Sequence, residues 1–108
     1  MTNEYWQEEI ETMSRPELEK LQTERLKATI KQAQNAPFYK KLFKEKGLTE
    51  ETITNLEDLK KFPFTTKEDL RSHYPFGFAA VPHNEIVRLH SSSGTTGNPT
   101  VVLHTQKD

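Results

Sequence analysis

The sequence changes from helical to strand-like spacing near residue 84, and this change limits the folds open to the chain. Residues 86–90 (IVRLH) and 100–104 (TVVLH) are short segments rich in β-branched and aliphatic side chains. Two such segments around a loop rich in serine, threonine and glycine predict an antiparallel hairpin. Because two strands alone are only marginally stable in water, the hairpin needs further structure to pack against.

Helix-capping patterns occur before the hairpin. Ser14, with Glu17 three residues later, has the spacing of a capping box and predicts a helix over residues 15–34. FYKKLFKEKG predicts a second helix over residues 38–46, which ends at Gly47.

Two further cap pairs predict shorter helices. Thr54 with Glu57 and Thr66 with Asp69 have the same spacing. The helices expected from these pairs cover residues 55–61 and 67–73. Together the patterns predict an α+β chain, in which a helical segment over residues 1–83 precedes a strand–loop–strand unit over residues 84–108.

Composition excludes several classes of protein. The 108 residues carry a net charge of −1 and no cysteine, so disulfides and thiolate metal sites are excluded, and no overall attraction to nucleic acid is expected. The longest apolar run, FGFAAV, is too short to cross a bilayer, and MTNEYWQEEI does not resemble a signal peptide. We therefore expect a cytoplasmic protein. The four histidines lack metal-ligand spacing, although His90 and His104 could be cross-strand neighbours.

Charge is uneven along the chain. Residues 25–46 hold seven basic residues and one acidic residue. A surface that binds a polyanion or a partner protein would have this composition, but so would the solvated faces of amphipathic helices, which we favour.

The loop sequence HSSSGTTGNPT, residues 90–100, is the main candidate for a binding site. Glycines allow successive backbone N–H groups to converge on a phosphate, and hydroxyl groups add further donors. No Gly-Lys-Ser/Thr follows, so this is not a Walker A loop. From the residue types alone, a solvated hairpin turn and a phosphate site remain equally open.

SSGTTGNPT resembles the phosphate-binding signature of the adenylate-forming superfamily of acyl-CoA ligases. The segments LKKFPFTTKEDLRSHYPFG and TVV on either side of the loop, and ERLKATIKQAQNAPFYKKLF further upstream, are similar to the phenylacetate–CoA ligase branch. The resemblance covers nearly all of residues 5–108.

The resemblance implies a fold and an activity. The chain would be an N-terminal piece of the large N-terminal domain of an enzyme that uses ATP, Mg²⁺ and coenzyme A to convert phenylacetate into an acyl-AMP and then a thioester. Catalytic residues would lie outside this segment, so the piece alone would be inactive, and its partners would be small molecules. The residues expected to contact the β- and γ-phosphates are Ser92, Ser93, Gly94, Thr95, Thr96 and Gly97.

The chain departs from the family pattern at Asn98, where such loops usually carry lysine. Asparagine keeps a neutral donor but not the positive charge that lysine would bring to a triphosphate.

Other interpretations remain open at this point. A helical module that binds a partner or polyanion through residues 25–46, and a small free-standing phosphate-binding protein, are the alternatives. The 108-residue chain by itself could also form a homodimer across the unpaired edge of its hairpin. Several aromatic residues could line a pocket for phenylacetate, but we expect them to pack in the core. They are Trp6, Phe38, Tyr39, Phe43, Phe62 and Phe64.

Overall fold

The computed structural model describes residues 4–92 and 97–108. Its α-helices are α1 (Glu8–Glu11), α2 (Arg15–Ala33), α3 (Pro37–Lys46) and α4 (Lys67–Ser72). Three 3₁₀ turns cover Glu50–Thr52, Leu56–Lys61 and His83–Glu85, and two strands follow, β1 (Ile86–Ser91) and β2 (Val101–Thr105). The prediction of an α+β chain is confirmed. No helix in the described part of the chain has the length and hydropathy needed to span a membrane.

The starts of α2 and α4 follow the predicted caps. The Ser14 hydroxyl accepts a hydrogen bond from the Glu17 N–H at 3.4 Å. Thr66 and Asp69 form a complete capping box, in which the Thr66 N–H donates to the Asp69 carboxylate at 2.8 Å and the Asp69 N–H donates to the Thr66 hydroxyl at 3.2 Å. At its other end α3 stops at Gly47, whose φ of 65° lies in the left-handed region that favours glycine.

The predicted helix over residues 55–61 is present as a 3₁₀ helix, but its predicted cap is wrong. The segment Leu56–Lys61 is a 3₁₀ turn capped by Asn55, whose side chain accepts from the Glu57 N–H. Asp58, rather than Glu57, completes the box, because its carboxylate accepts from the hydroxyl and N–H of Thr54 and from the N–H of Asn55. These bonds hold the pKa of Asp58 well below its usual value because they favour the charged form of the carboxyl group, and the two bonds from Thr54 have the largest effect.

The core lies where α2, α3 and the following turn meet. Ile53 is fully buried, and it packs with three other buried residues, Ile30, Phe43 and Leu48. Partly buried side chains surround this cluster, namely Leu26, Ala33, Tyr39 and Phe62.

The expectation that the aromatic residues pack in the core is partly wrong. The rings of Phe43 and Phe62 meet edge to face in the core at 5.4 Å between centroids. Trp6 and Phe64, however, are 92% and 98% exposed. Trp6 precedes α1, and Phe64 lies between the 3₁₀ turn Leu56–Lys61 and α4; the described residues provide no surface that covers either ring.

The strands form a two-stranded antiparallel sheet, as predicted, although β2 begins one residue later than expected. Leu89 is paired with Leu103, and a bulge interrupts the register between Ile86 and Arg88. His90 and His104 are diagonal rather than direct partners, with their ring centroids 5.1 Å apart.

Gly77 connects α3 to the segment that follows α4. The Phe38 N–H donates to the Gly77 carbonyl, and the Gly77 N–H donates to the His73 carbonyl, each at 2.8 Å. The rings of Phe38 and Phe78 stack beside this junction, with centroids 4.4 Å apart. A Cβ at Gly77 would lie 2.4 Å from the Cβ and 2.7 Å from the carbonyl oxygen of His73. The close approach therefore requires glycine.

Gly77→Ala should destabilise the chain by about 1–3 kcal/mol, because the new methyl group can be accommodated only by moving backbone. Urea denaturation gives the free energy of unfolding. Thr65→Ala, at an exposed position before α4, is the control and should change that free energy by less than about 0.5 kcal/mol. An unchanged midpoint for Gly77→Ala would show that the junction is looser than described.

Candidate functional site

The predicted phosphate-binding loop is only partly within the described residues. Ser93, Gly94, Thr95 and Thr96 lie outside them, whereas Ser92 and Gly97, the first and last predicted contact residues, lie inside. Ser92 directly follows β1, and Gly97 precedes β2 by four residues. The described geometry therefore concerns the two ends of the loop and their surroundings.

Ser92 and Thr100 join the two ends of the loop. The Ser92 N–H donates to the Thr100 carbonyl at 3.0 Å, and the two hydroxyl groups are hydrogen-bonded to each other. These bonds add one pair beyond the last pair of the sheet, Ser91 with Val101. Thr100 is buried, at 9% exposure. Sequence reasoning gave Thr100 no part in the site, although its position across the predicted hairpin from Ser92 was a usable signal.

Gly97 has a φ of 74°, in the left-handed region. A Cβ built there would meet no atom within 4 Å, so backbone conformation rather than crowding favours glycine. This conformation turns the chain out of the loop and toward β2.

A cleft of about 350 Å³ lies between α4 and the end of the loop. Its lining comes from two segments distant in sequence, Glu68, Arg71 and Ser72 on one side and Gly97 and Asn98 on the other. All five are polar or lack a side chain, which suits a hydrated or charged ligand better than an apolar one. Sequence reasoning placed Arg71 on a helix but had no signal that this helix faces the loop.

Arg71 is the unusual member of this lining. Its Nε is shielded from solvent and has no hydrogen-bond partner among the described residues. Neither of the two ion pairs between described residues, Lys60 with Glu57 and Lys61 with Asp58, involves Arg71. The guanidinium therefore lies at the cleft with donor capacity unused by the described part of the chain.

Within residues 4–92 and 97–108, the structure contains no cluster of three or more histidine, aspartate or glutamate side chains that could hold a metal ion. His90 and His104 are neighbours, but they supply only two ligands.

A second, wider groove runs between α2 and the hairpin. It is lined by α2 residues, by residues 78–81 and by the outer ends of β1 and β2. The Gln32 amide crosses this region and donates to the Ala80 carbonyl at 2.7 Å. The groove thus lies along the junction of the helical segment with the sheet, away from the loop.

Comparison with known sequences finds relatives that all carry the same name, although no protein-family model matches the chain. A phenylacetate–coenzyme A ligase of Escherichia coli (strain K12) is 54% identical over 100 residues, which is 92% of this chain and 23% of that enzyme. The phenylacetate–coenzyme A ligase of Thermus thermophilus is 50% identical over 104 residues, again 23% of its length. The chain thus spans about a quarter of the length of the curated relatives it matches.

Solved structures give the same picture for the fold. A crystal structure of 2-hydroxyisobutyryl-CoA ligase, in complex with 2-HIB-AMP and CoA, superposes with a TM-score of 0.85 at 35% identity. An open conformation of the same ligase gives a TM-score of 0.81 at 33% identity. Each match covers 96% of this chain and only 23% or 25% of the ligase.

Sequence and fold therefore agree: over nearly all of its length the chain is similar to about a quarter of the phenylacetate–coenzyme A ligases and to the same share of a solved acyl-CoA ligase structure.

Proposed function

We propose that the chain is the N-terminal, phosphate-binding portion of an ATP-dependent acyl-CoA ligase that acts on phenylacetate. The observation that carries the proposal is the 54% identity to a phenylacetate–coenzyme A ligase over 100 residues. The match covers 92% of the 108 residues and so leaves about nine outside, which means that it includes all the predicted phosphate contacts, residues 92–97. In this proposal residues 1–83 support the loop, and residues 84–108 begin the adenylation core.

The geometry at the ends of the loop supports a role in binding phosphate. The Ser92–Thr100 bonds fix the spacing of the two chains that enter and leave the loop. The left-handed Gly97 is a conformation that occurs in backbone nests for anions. A loop fixed at both ends loses less entropy when its backbone donors close around the β- and γ-phosphates.

The proposed reaction has two steps. A carboxylate oxygen of phenylacetate attacks the α-phosphorus of ATP and pyrophosphate leaves; the thiol of coenzyme A then attacks the acyl-AMP carbonyl and AMP leaves. Residues of this chain would hold the β- and γ-phosphates, so that the attacking oxygen and the leaving pyrophosphate are in line. Mg²⁺ would be held mainly by the nucleotide phosphates and by water, with one or two carboxylates of the protein.

Phenylacetate is the acid favoured by similarity. The curated relatives that share 50–54% identity are phenylacetate–coenzyme A ligases, whereas the 2-hydroxyisobutyryl-CoA ligase shares 35%. Phe43 and Phe62 pack in the core and are not available to an acyl group. The acyl pocket of the proposed enzyme would therefore be built by other residues.

Thr96→Val tests the loop, because it removes a hydroxyl group while keeping the shape of the side chain. In the protein expressed from the complete open reading frame that carries these residues, kcat/KM for ATP should fall about 10- to 100-fold, as expected for a lost hydrogen bond to a charged phosphate. Thr65→Val, at an exposed position outside the loop, should leave it unchanged. Equal ATP kinetics for Thr96→Val and the wild type would show that the Thr96 hydroxyl does not contact the phosphates.

Thr100→Val tests whether the base of the loop matters for binding. Loss of the Ser92–Thr100 hydroxyl bond should cost about 0.5–1.5 kcal/mol of stability and raise the KM for ATP, because the loop ends are less firmly held. Thr105→Val breaks a comparable bond to Asp108 at the opposite end of β2. It should lower stability without raising KM. A KM raised equally by both variants would argue that general loosening of the hairpin is responsible.

The 108 residues alone should not form an acyl-adenylate. They span 23% of the matched ligases, and correct orientation of both substrates contributes up to about 7–11 kcal/mol to such reactions. The outer residues of the hairpin, Val87, Leu89 and Val102, are also 50% exposed or more, as expected if another surface covers them. Pyrophosphate release with ATP, phenylacetate and coenzyme A, measured beside the Escherichia coli relative, is the assay. Turnover near that of the relative would contradict the proposal.

A further inference from the structure

Two histidine side chains lie next to each other on one face of the hairpin, outside the predicted phosphate contacts. His90 in β1 is paired with Val102, and His104 in β2 is paired with Arg88. Directly paired residues of an antiparallel sheet share a face, and so do residues two apart along a strand, so both imidazole rings project from the same side. Their ring centroids are 5.1 Å apart. His90 is exposed and His104 is half-buried, so the pair is open to solvent.

The distance between the two rings suits a shared metal ion. Bonds from Zn²⁺ to imidazole nitrogen are about 2.0–2.1 Å long and the ring centre lies about 1.1 Å behind the nitrogen, so two rings on one tetrahedral ion have their centres about 5 Å apart. Rotation of an imidazole about its Cβ–Cγ bond changes which nitrogen faces the neighbouring ring but hardly moves the ring centre, and this rotation is soft. The observed 5.1 Å is therefore the separation that one bridging ion requires.

The other two histidines are engaged elsewhere. The Nδ1 atom of His73 is hydrogen-bonded to the Asp69 carbonyl at 2.9 Å. The ring of His83 packs on the ring of Phe76, with centroids 4.3 Å apart. Among the described residues, only the hairpin register therefore brings two histidine rings together.

The charges around the pair act in both directions. Arg88, exposed and directly opposite His104, opposes the binding of a cation. The hydrogen bond that the Thr105 N–H donates to the Asp108 carboxylate and, to a smaller degree, the charge that His104 carries when protonated hold the pKa of Asp108 below its usual value. The carboxylate is thus near enough to His104 to offset part of the Arg88 charge.

We infer that His90 and His104 together bind one divalent transition-metal ion of the class that imidazole prefers, Zn²⁺, Ni²⁺ or Cu²⁺, with water completing the coordination. The ion joins β1 to β2 and so stabilises the register on which the base of the loop depends. The site is independent of the proposed function, because neither histidine is a predicted phosphate contact and the ion is not the Mg²⁺ that accompanies ATP.

The test is a calorimetric titration with ZnCl₂ of the untagged protein expressed from its complete open reading frame. It is carried out without nucleotide, since polyphosphate binds metal ions, and at about pH 7.5, where imidazole is largely deprotonated and able to bind. His104→Asn should weaken zinc binding at this site by about 10-fold or more, because the remaining imidazole no longer chelates. His90→Asn should have the same effect, and the double variant should lose little more than either single variant.

Two control variants separate the pair from other effects. His83→Asn removes an exposed histidine outside the pair and should leave zinc binding unchanged. Arg88→Gln removes the like charge beside the ion and should tighten zinc binding. Thermal denaturation without metal shows whether each variant is folded, and His104→Gln or His90→Gln replaces an asparagine variant that is not. Added Zn²⁺ should raise the Tm of the wild type more than that of either histidine variant.

The outcomes decide the inference without reference to ATP. A wild type that binds no Zn²⁺ overturns it. Equal zinc affinity in the wild type and in both histidine variants shows that other groups bind the ion, and the inference is then wrong. Displacement of Zn²⁺ by an equal concentration of Mg²⁺ would indicate oxygen ligands and would also contradict it. In each of these cases the proposed function stands, because the assays of the phosphate loop do not involve the histidine pair.

Discussion

The antiparallel register of β1 and β2 determines the geometry of everything at the candidate site. Pairing Leu89 with Leu103 places Ser92 opposite Thr100, and the backbone and hydroxyl bonds between these two residues close the base of the loop. A shift by one residue would turn every side chain of a strand to the other face and would separate the two hydroxyl groups. The described base of the loop, Ser92 with Thr100, therefore exists only in this register.

The position of α4 depends on a second constraint, the close contact at Gly77. The hydrogen bonds from Phe38 to Gly77 and from Gly77 to His73 hold the segment after α4 against α3, and the stacked rings of Phe38 and Phe78 cover the junction. Because α3 belongs to the core around Ile53, the end of α4 is tied indirectly to the best-packed part of the molecule. Arg71 is therefore carried on a supported element, rather than on a free loop.

Local signals predicted local structure well, and one of the errors has a local cause. The Ser14 and Thr66 caps and the left-handed Gly47 are specified by residues within one turn, so the helices could be located from the sequence. At residues 54–58 two overlapping cap pairs compete, and Asn55 with Asp58 wins because Asp58 accepts three bonds at once. The exposure of Phe64 and the approach of Arg71 to the loop depend on which elements pack together. No spacing along the chain encodes that information.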